Sequence, residues 1–156
     1  MSLKEEVEIL RNVPLFGKIE PSKLKLLAFA AERLTYHSDQ ILCRQGDPGD
    51  AAYIILSGEA DVIVDGPTGP ITVAKLGRNS ILGEIAILCD VPRTATVKAK
   101  TELVVLRISK ELFYRLITEF PQMGIEIMRV LADRLERTTH RLQQALSGGR
   151  HQEAHH

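Results

Sequence analysis

Gly83-Glu84-Ile85-Ala86-Ile87-Leu88, followed after Cys89-Asp90-Val91-Pro92 by Arg93-Thr94-Ala95, is the stretch of this chain best equipped for chemistry. A glycine turn feeding a short helix leaves the N–H groups of Glu84, Ile85 and Ala86 without intrahelical acceptors, pointing at whatever precedes the helix. Such a helix start attracts an anion. Arg93, its approach restricted by Pro92, adds a planar fork of donors suited to phosphate oxygens, and Thr94 adds a hydroxyl. One arginine, one helix start and one hydroxyl suit a monoanion. A polyphosphate usually meets a glycine-rich loop with Lys and a metal, and neither G-x-x-x-x-G-K-[ST] nor G-x-G-x-x-G occurs. Glu84 then needs a purpose, because a carboxylate beside a phosphate is repelled unless it faces a donor elsewhere on the ligand. A ribose hydroxyl meets that need. The structural alternative is a Glu84–Arg93 ion pair in a barrel without a ligand, and such a pair rarely offsets its own desolvation.

The elements that must position these residues follow from periodicity. Glu5–Asn12 and Pro21–Arg33 carry apolar residues at helical spacing. From Leu34 to Ile108 the pattern changes to short β-rich runs: 34–37, 41–44, 52–56, 60–64, 71–76, 94–99 and 103–108. Turn chemistry separates them at Gly46-Asp47-Pro48-Gly49-Asp50, Ser57-Gly58-Glu59, Asp65-Gly66-Pro67 and Gly77-Arg78-Asn79-Ser80. The fold class expected is mainly β with flanking helices: a β-roll or jelly-roll barrel of about eight strands. N-terminal helices occupy 1–33, the roll 34–108 and C-terminal helices 109–146. Ser109 caps a helix over 110–119, and Pro121 opens a longer one to about Leu146. In that last helix Met128, Leu131, Leu135, Thr138, Leu142 and Ala145 recur at alternating steps of three and four. The seam fits a partner helix, and hence a homodimer, as well as it fits the helix's own barrel. Residues 147–156, from Ser147-Gly148-Gly149 onward, are expected to be a disordered tail; its His151, His155 and His156 lack the spacing of a metal site.

Composition removes several function classes. The 156 residues hold 20 Lys plus Arg and 20 Asp plus Glu, so no global positive field draws this chain onto nucleic acid or an anionic membrane. Its longest apolar runs fall far short of a bilayer span, and the acidic, helix-patterned N-terminus does not read as a secretory signal, so a cytoplasmic location is expected. Cys43 and Cys89 stand apart, without C-x-x-C or a nearby His pair, and read as buried small hydrophobes. No cofactor or metal is implied. A cupin-like metalloenzyme shares the barrel class but needs a His and carboxylate cluster, whereas His37 and His140 fall in unrelated elements.

The run L-G-E-I-A-I-L with P-R-T-A-T-V resembles the phosphate-binding cassette of cyclic nucleotide-binding domains. The stretch from Gln45 to Gly58 is similar to that family's signature between early strands, and the likeness covers roughly residues 10–146. The resemblance implies that Glu84 accepts the ribose 2′-hydroxyl, that Arg93 pairs with the cyclic phosphate, and that Gly83, Ile85, Ala86, Thr94 and Ala95 complete the cradle. Val62 and Val73 would wall the base and ribose. The last helix is similar to that of catabolite-activator-type proteins, which would place Arg134 near Glu84, Thr138 against the purine from its own subunit and Thr139 against it from the partner. The absence of a helix-turn-helix after this helix keeps the activator's DNA function from carrying over.

The reading is a non-enzymatic sensor that binds a cyclic nucleotide and passes the signal through its last helix to an unidentified downstream protein. cAMP is favoured over cGMP because the Thr138 hydroxyl can accept from an adenine amino group. The alternatives are a cGMP-binding module, a fragment of a DNA-binding regulator and a ligand-free interaction domain.

Overall fold

The run Ala51-Ala52-Tyr53-Ile54-Ile55-Leu56 is apolar at every position, the pattern of a strand covered on both sides. In the computed structural model, which describes the backbone of residues 2–154 and the side chains of 2–147 other than Ile85, it forms β3 (Ala51–Ser57), buried throughout but for Ser57. Alternate side chains point to opposite faces. Ala52, Ile54 and Leu56 pack under the helices, while Ala51, Tyr53 and Ile55 face the interior of the roll.

Around it run α1 (Leu3–Arg11), a 3-10 turn (Pro14–Phe16), α2 (Pro21–Ala30), β1 (Glu32–Tyr36), β2 (Ile41–Cys43), β4 (Ala60–Gly66), β5 (Gly69–Leu76), β6 (Ile81–Leu82), α3 (Glu84–Leu88), β7 (Thr96–Ala99), β8 (Leu103–Ser109), α4 (Lys110–Glu119) and α5 (Pro121–Ala154). Two antiparallel four-stranded sheets, ordered β1-β8-β3-β6 and β2-β7-β4-β5, make the roll. The interior between them is filled by Leu42, Ala60, Leu82, Val97, Leu103 and Val105, among others. The other face of the first sheet joins α1, the 3-10 turn, α2, α3, α4 and the start of α5 in one core that includes Phe16, Leu24, Ile87, Phe113, Met123 and Ile127. The cassette helix α3 is therefore packed into the same core as the helices at both ends of the domain.

The fold expected from sequence is present, with shifted boundaries. Helix α2 ends at Ala30, because Ala31 is extended (φ −75°, ψ 156°) and Glu32 and Arg33 already pair with Arg107 and Leu106 of β8. Helix α1 starts earlier than expected, at Leu3, where the Ser2 hydroxyl accepts from Glu5 N at 3.2 Å. Strand β6 has no counterpart among the expected runs, because two residues are too few to show alternation, and Cys89, expected to be buried, is exposed just past α3. Strand β7 starts at Thr96, so Thr94 and Ala95 lie in a loop. Helix α5 runs on to Ala154 instead of ending near Leu146. Glycine lowers helix propensity by about 1 kcal/mol per residue without removing a backbone donor, so Gly148-Gly149 does not oblige a stop. His155 and His156 lie outside the described residues. No helix among the described residues is long and apolar enough to cross a membrane.

Ile54 is fully buried, whereas Val73 is 55 % exposed. Ile54→Ala should lower unfolding stability by about 2–5 kcal/mol. Val73→Ala should stay within about 0.5 kcal/mol of the parent. Urea melts of the two variants check this; equal losses would mean that β3 is not the doubly covered strand described.

Candidate functional site

Gly83 joins β6 to α3 with φ +85°, a conformation that glycine adopts without strain. A Cβ there would overlap the Arg93 guanidinium and come within 2.9 Å of the Ala51 carbonyl oxygen, so the absence of a side chain is what admits Arg93. Arg93 is buried, with 5 % of its surface exposed. Its Nη1 donates to Gly83 O at 3.3 Å, and its Nη2 donates to Ala51 O at 2.7 Å and to Asp50 Oδ1 at 3.2 Å. The guanidinium carbon lies 5.9 Å from the centre of the Tyr53 ring. Arginine has five N–H donors, so among the described residues Nε and one hydrogen of Nη1 remain for an added anion.

The backbone of Arg93 is held as firmly. Its N–H donates to Asp47 O at 2.7 Å, and Gly46 N donates to Arg93 O at 2.8 Å. The Gly46–Asp50 turn thus fixes the far end of the cassette. At Gly49 a Cβ would overlap Ala86, so the same turn also packs directly on α3. Helix α3 is gripped from the other side by α4: the Tyr114 hydroxyl donates to Ile87 O at 2.7 Å, and Lys110 Nζ pairs with Asp90 at 3.3 Å. Before the cassette, Asn79 takes φ +73°, a left-handed conformation open to a short polar residue in a tight turn.

Glu84 opens α3 and is 7 % exposed. Its Oε1 lies 3.4 Å from Arg134 Nη1 of α5. Burial pushes its carboxyl above the ordinary range, partly offset by its own backbone N–H, by Arg134 and by Arg93. The sequence-level alternative, a Glu84–Arg93 ion pair, is not what forms: Glu84 pairs with Arg134, and Arg93 pairs with Asp50.

The remaining candidates fall in two groups. Thr94 is exposed and Ala95 half-buried beside Arg93, Ala86 is buried in α3, and Ile85 belongs to the same helix. Val62 is half-buried against the roll interior. Val73 sits at the bulge of β5, where Val62 pairs with Ala74 and Ile63 with Thr72, so no β4 residue stands opposite it.

Helix α5 brings Arg134 to Glu84 but leaves Thr138 and Thr139 exposed, with the Thr138 hydroxyl donating to Arg134 O at 2.9 Å. Its apolar residues fall on two faces rather than the single seam read from sequence. Met123 and Ile127 are buried, and Leu131 packs partly buried against the helical core. Ile125, Met128, Leu135, Leu142 and Leu146 are exposed, at 39 to 68 %. With Ala132 and Thr139 they form an unbroken three-four repeat, and at 3.6 residues per turn this face is roughly 100° from the buried one. Leu131, Thr138 and Ala145 therefore do not belong to the exposed seam, whereas Thr139 does. Two residues of the site were quoted in sequence without a role or passed over: Asp50, whose only signal was its place in Gly-Asp-Pro-Gly-Asp, and Arg107, which carried none.

Comparison with known proteins identifies the family and the fold. The family model described as cyclic nucleotide-binding domain matches residues 33–120. The chain is 37 % identical over 108 residues to the cAMP-dependent protein kinase regulatory subunit of Aspergillus niger, covering 69 % of this chain and 26 % of that protein. It is 29 % identical over 136 residues to the CRP-like cAMP-activated global transcriptional regulator of Mycobacterium tuberculosis, covering 86 % and 61 %. The structure of a cyclic nucleotide-binding-like protein from Brucella abortus superposes with a TM-score of 0.66 at 37 % identity, over 73 % of this chain and 98 % of that one. The chain spans about a quarter of the length of the kinase regulatory subunits it matches. A buried arginine with donors to spare, the glycine that admits it and a carboxylate tied to the outgoing helix are thus set in a matching fold, and the chain belongs to the cyclic nucleotide-binding domain family.

Proposed function

We propose that this chain is a non-catalytic sensor of cAMP that reports binding through α5 and acts as a homodimer in the cytoplasm. The observation that carries the reading is the Glu84–Arg134 pair, which joins the carboxylate assigned to the ribose directly to the helix leaving the domain. A ligand can shift that helix only by binding its two arrangements unequally. A ribose 2′-hydroxyl donating to Glu84 changes what Arg134 sees, and the phosphate takes the spare donors of Arg93. Thr138 reaches the purine from the subunit that binds it, on the same side of α5 as Arg134. Thr139, on the exposed repeat, faces the partner helix. Val62 and Val73 wall the base and ribose. The preference for cAMP over cGMP rests on the Thr138 hydroxyl as an acceptor for the adenine amino group. The downstream protein is the remainder of a longer chain or a separate partner.

Titration calorimetry with cAMP and cGMP on the parent tests the function itself; absence of heat with either would overturn it. Arg93→Ala should weaken cAMP binding by about 2–5 kcal/mol, because a desolvated phosphate loses its charged partner. Parent-like affinity in this variant would remove Arg93 from the phosphate.

Glu84→Gln should lower cAMP affinity and narrow the advantage of cAMP over 2′-deoxy-cAMP. Its effect on stability runs the other way. The folded-state pKa is raised, so the carboxyl's contribution is fullest when protonated and is lost as pH climbs from the unfolded value through the raised folded one. The Tm of Glu84→Gln at neutral pH should therefore equal or exceed that of the parent. A large drop would show that the carboxylate serves the fold rather than a ligand.

Leu135→Asp places a charge in the middle of the exposed repeat and should give monomers with reduced cAMP affinity, the loss matching a coupling of about 1–3 kcal/mol. Sedimentation and hydrogen exchange over residues 120–146 check this. A parent that is monomeric at all concentrations, with equal protection with and without cAMP, would rule out output by this helix.

A further inference from the structure

Arg107 lies outside every segment read as ligand-binding, yet it reaches the phosphate arginine through one carboxylate. On β8 it stands directly opposite Glu32 of β1 and Tyr53 of β3, so the three make one cross-strand row on the first sheet. Nη1 lies 3.7 Å from Glu32 Oε2, and Nη2 lies 3.4 Å from Asp50 Oδ2. The other oxygen of Asp50 is the one that meets Arg93, at 3.2 Å. The Asp50 side chain is 68 % exposed and that of Arg93 only 4 %, so the mobile partner of this pair is the carboxylate. An exposed carboxylate held by a single charge reorients at little cost. Held by a guanidinium on each oxygen, it has one orientation. Burial works against the charge of Arg107, but Tyr53, Asp50 and Glu32 outweigh it and hold its pKa above the usual arginine value.

We propose that Arg107 is a positioning residue for ligand binding, which anchors and neutralises Asp50 so that Arg93 keeps its orientation toward the ligand phosphate. The proposal rests on the cyclic nucleotide reading given above. The sign follows from the charges. Without Arg107, the Asp50 carboxylate is free to move and stands uncompensated beside the incoming phosphate, so affinity falls. Through Glu32, at the first residue of β1, the same guanidinium ties the orientation of Arg93 to the junction with α2.

The test is a double-mutant cycle with a ligand-free arm. Arg107→Gln should weaken cAMP binding by about three- to tenfold, while the same change in an Asp50→Asn background should have almost no further effect, because the two residues act as a unit. Arg107→Lys keeps the charge but spans only one carboxylate well, and should fall between the parent and Arg107→Gln. Parent-like affinity in Arg107→Gln, or equal losses in both backgrounds, overturns the proposal. In the protein without nucleotide, the Arg93 guanidinium NMR signals should show faster rotation in Arg107→Gln than in the parent. Unchanged Arg93 signals overturn the proposal on their own. A parent that binds no cyclic nucleotide sinks the function proposed above instead, and in that case the Arg93 signals alone decide whether Arg107 positions Arg93.

Discussion

The site depends on the fit of the Arg93 guanidinium between two backbone carbonyls. Ala51 O lies on β3 and Gly83 O just past the end of its neighbour β6, and Arg93 reaches them only because residue 83 has no Cβ. A buried charge in this position would be costly without partners. Two carbonyls and a carboxylate satisfy it in part, and the unmet donors give the site its appetite for an anion. Loss of any of these acceptors would change not only the orientation of Arg93 but also whether a charged group can be kept there.

That arrangement binds the cassette to the rest of the molecule in three directions. The turn at Gly46–Asp50 holds the backbone of Arg93 and packs on Ala86. Helix α4 holds the end of α3 through Tyr114 and Lys110. Ile87 is buried in the core shared by the N-terminal helices, α4 and α5. A displacement of α3 must therefore disturb packing at both ends of the domain, since close-packed interiors transmit strain rather than absorb it. The Glu84–Arg134 pair adds a direct polar link to α5, made by a carboxylate whose charge burial opposes.

Helix α5 then divides its apolar residues between two tasks. The face carrying Met123, Ile127 and Leu131 docks on the domain, and the face from Ile125 to Leu146 does not. Arg134, which meets Glu84, and Thr138 one turn further on fall on the docking side of the helix, in line with Ile127 and Leu131.

The chain's own residues determined the class of fold, the cassette and the identity of its two charged groups. These are local properties: a doubly apolar β3, turn residues between strands, and Gly83-Glu84 with Arg93 close in sequence. Tertiary structure decided what is non-local. Asp50 meets Arg93 and Arg107 across 43 and 57 positions of sequence, and Arg134 meets Glu84 across 50, distances over which no periodicity carries information. It also decided where α2 gives way to β1, since Glu32 and Arg33 are extended only by pairing with β8. The exposed face of α5 was ambiguous for a related reason. Residues at three-four spacing occur on two overlapping tracks, and only the burial of Leu131 against the core shows which track remains outside.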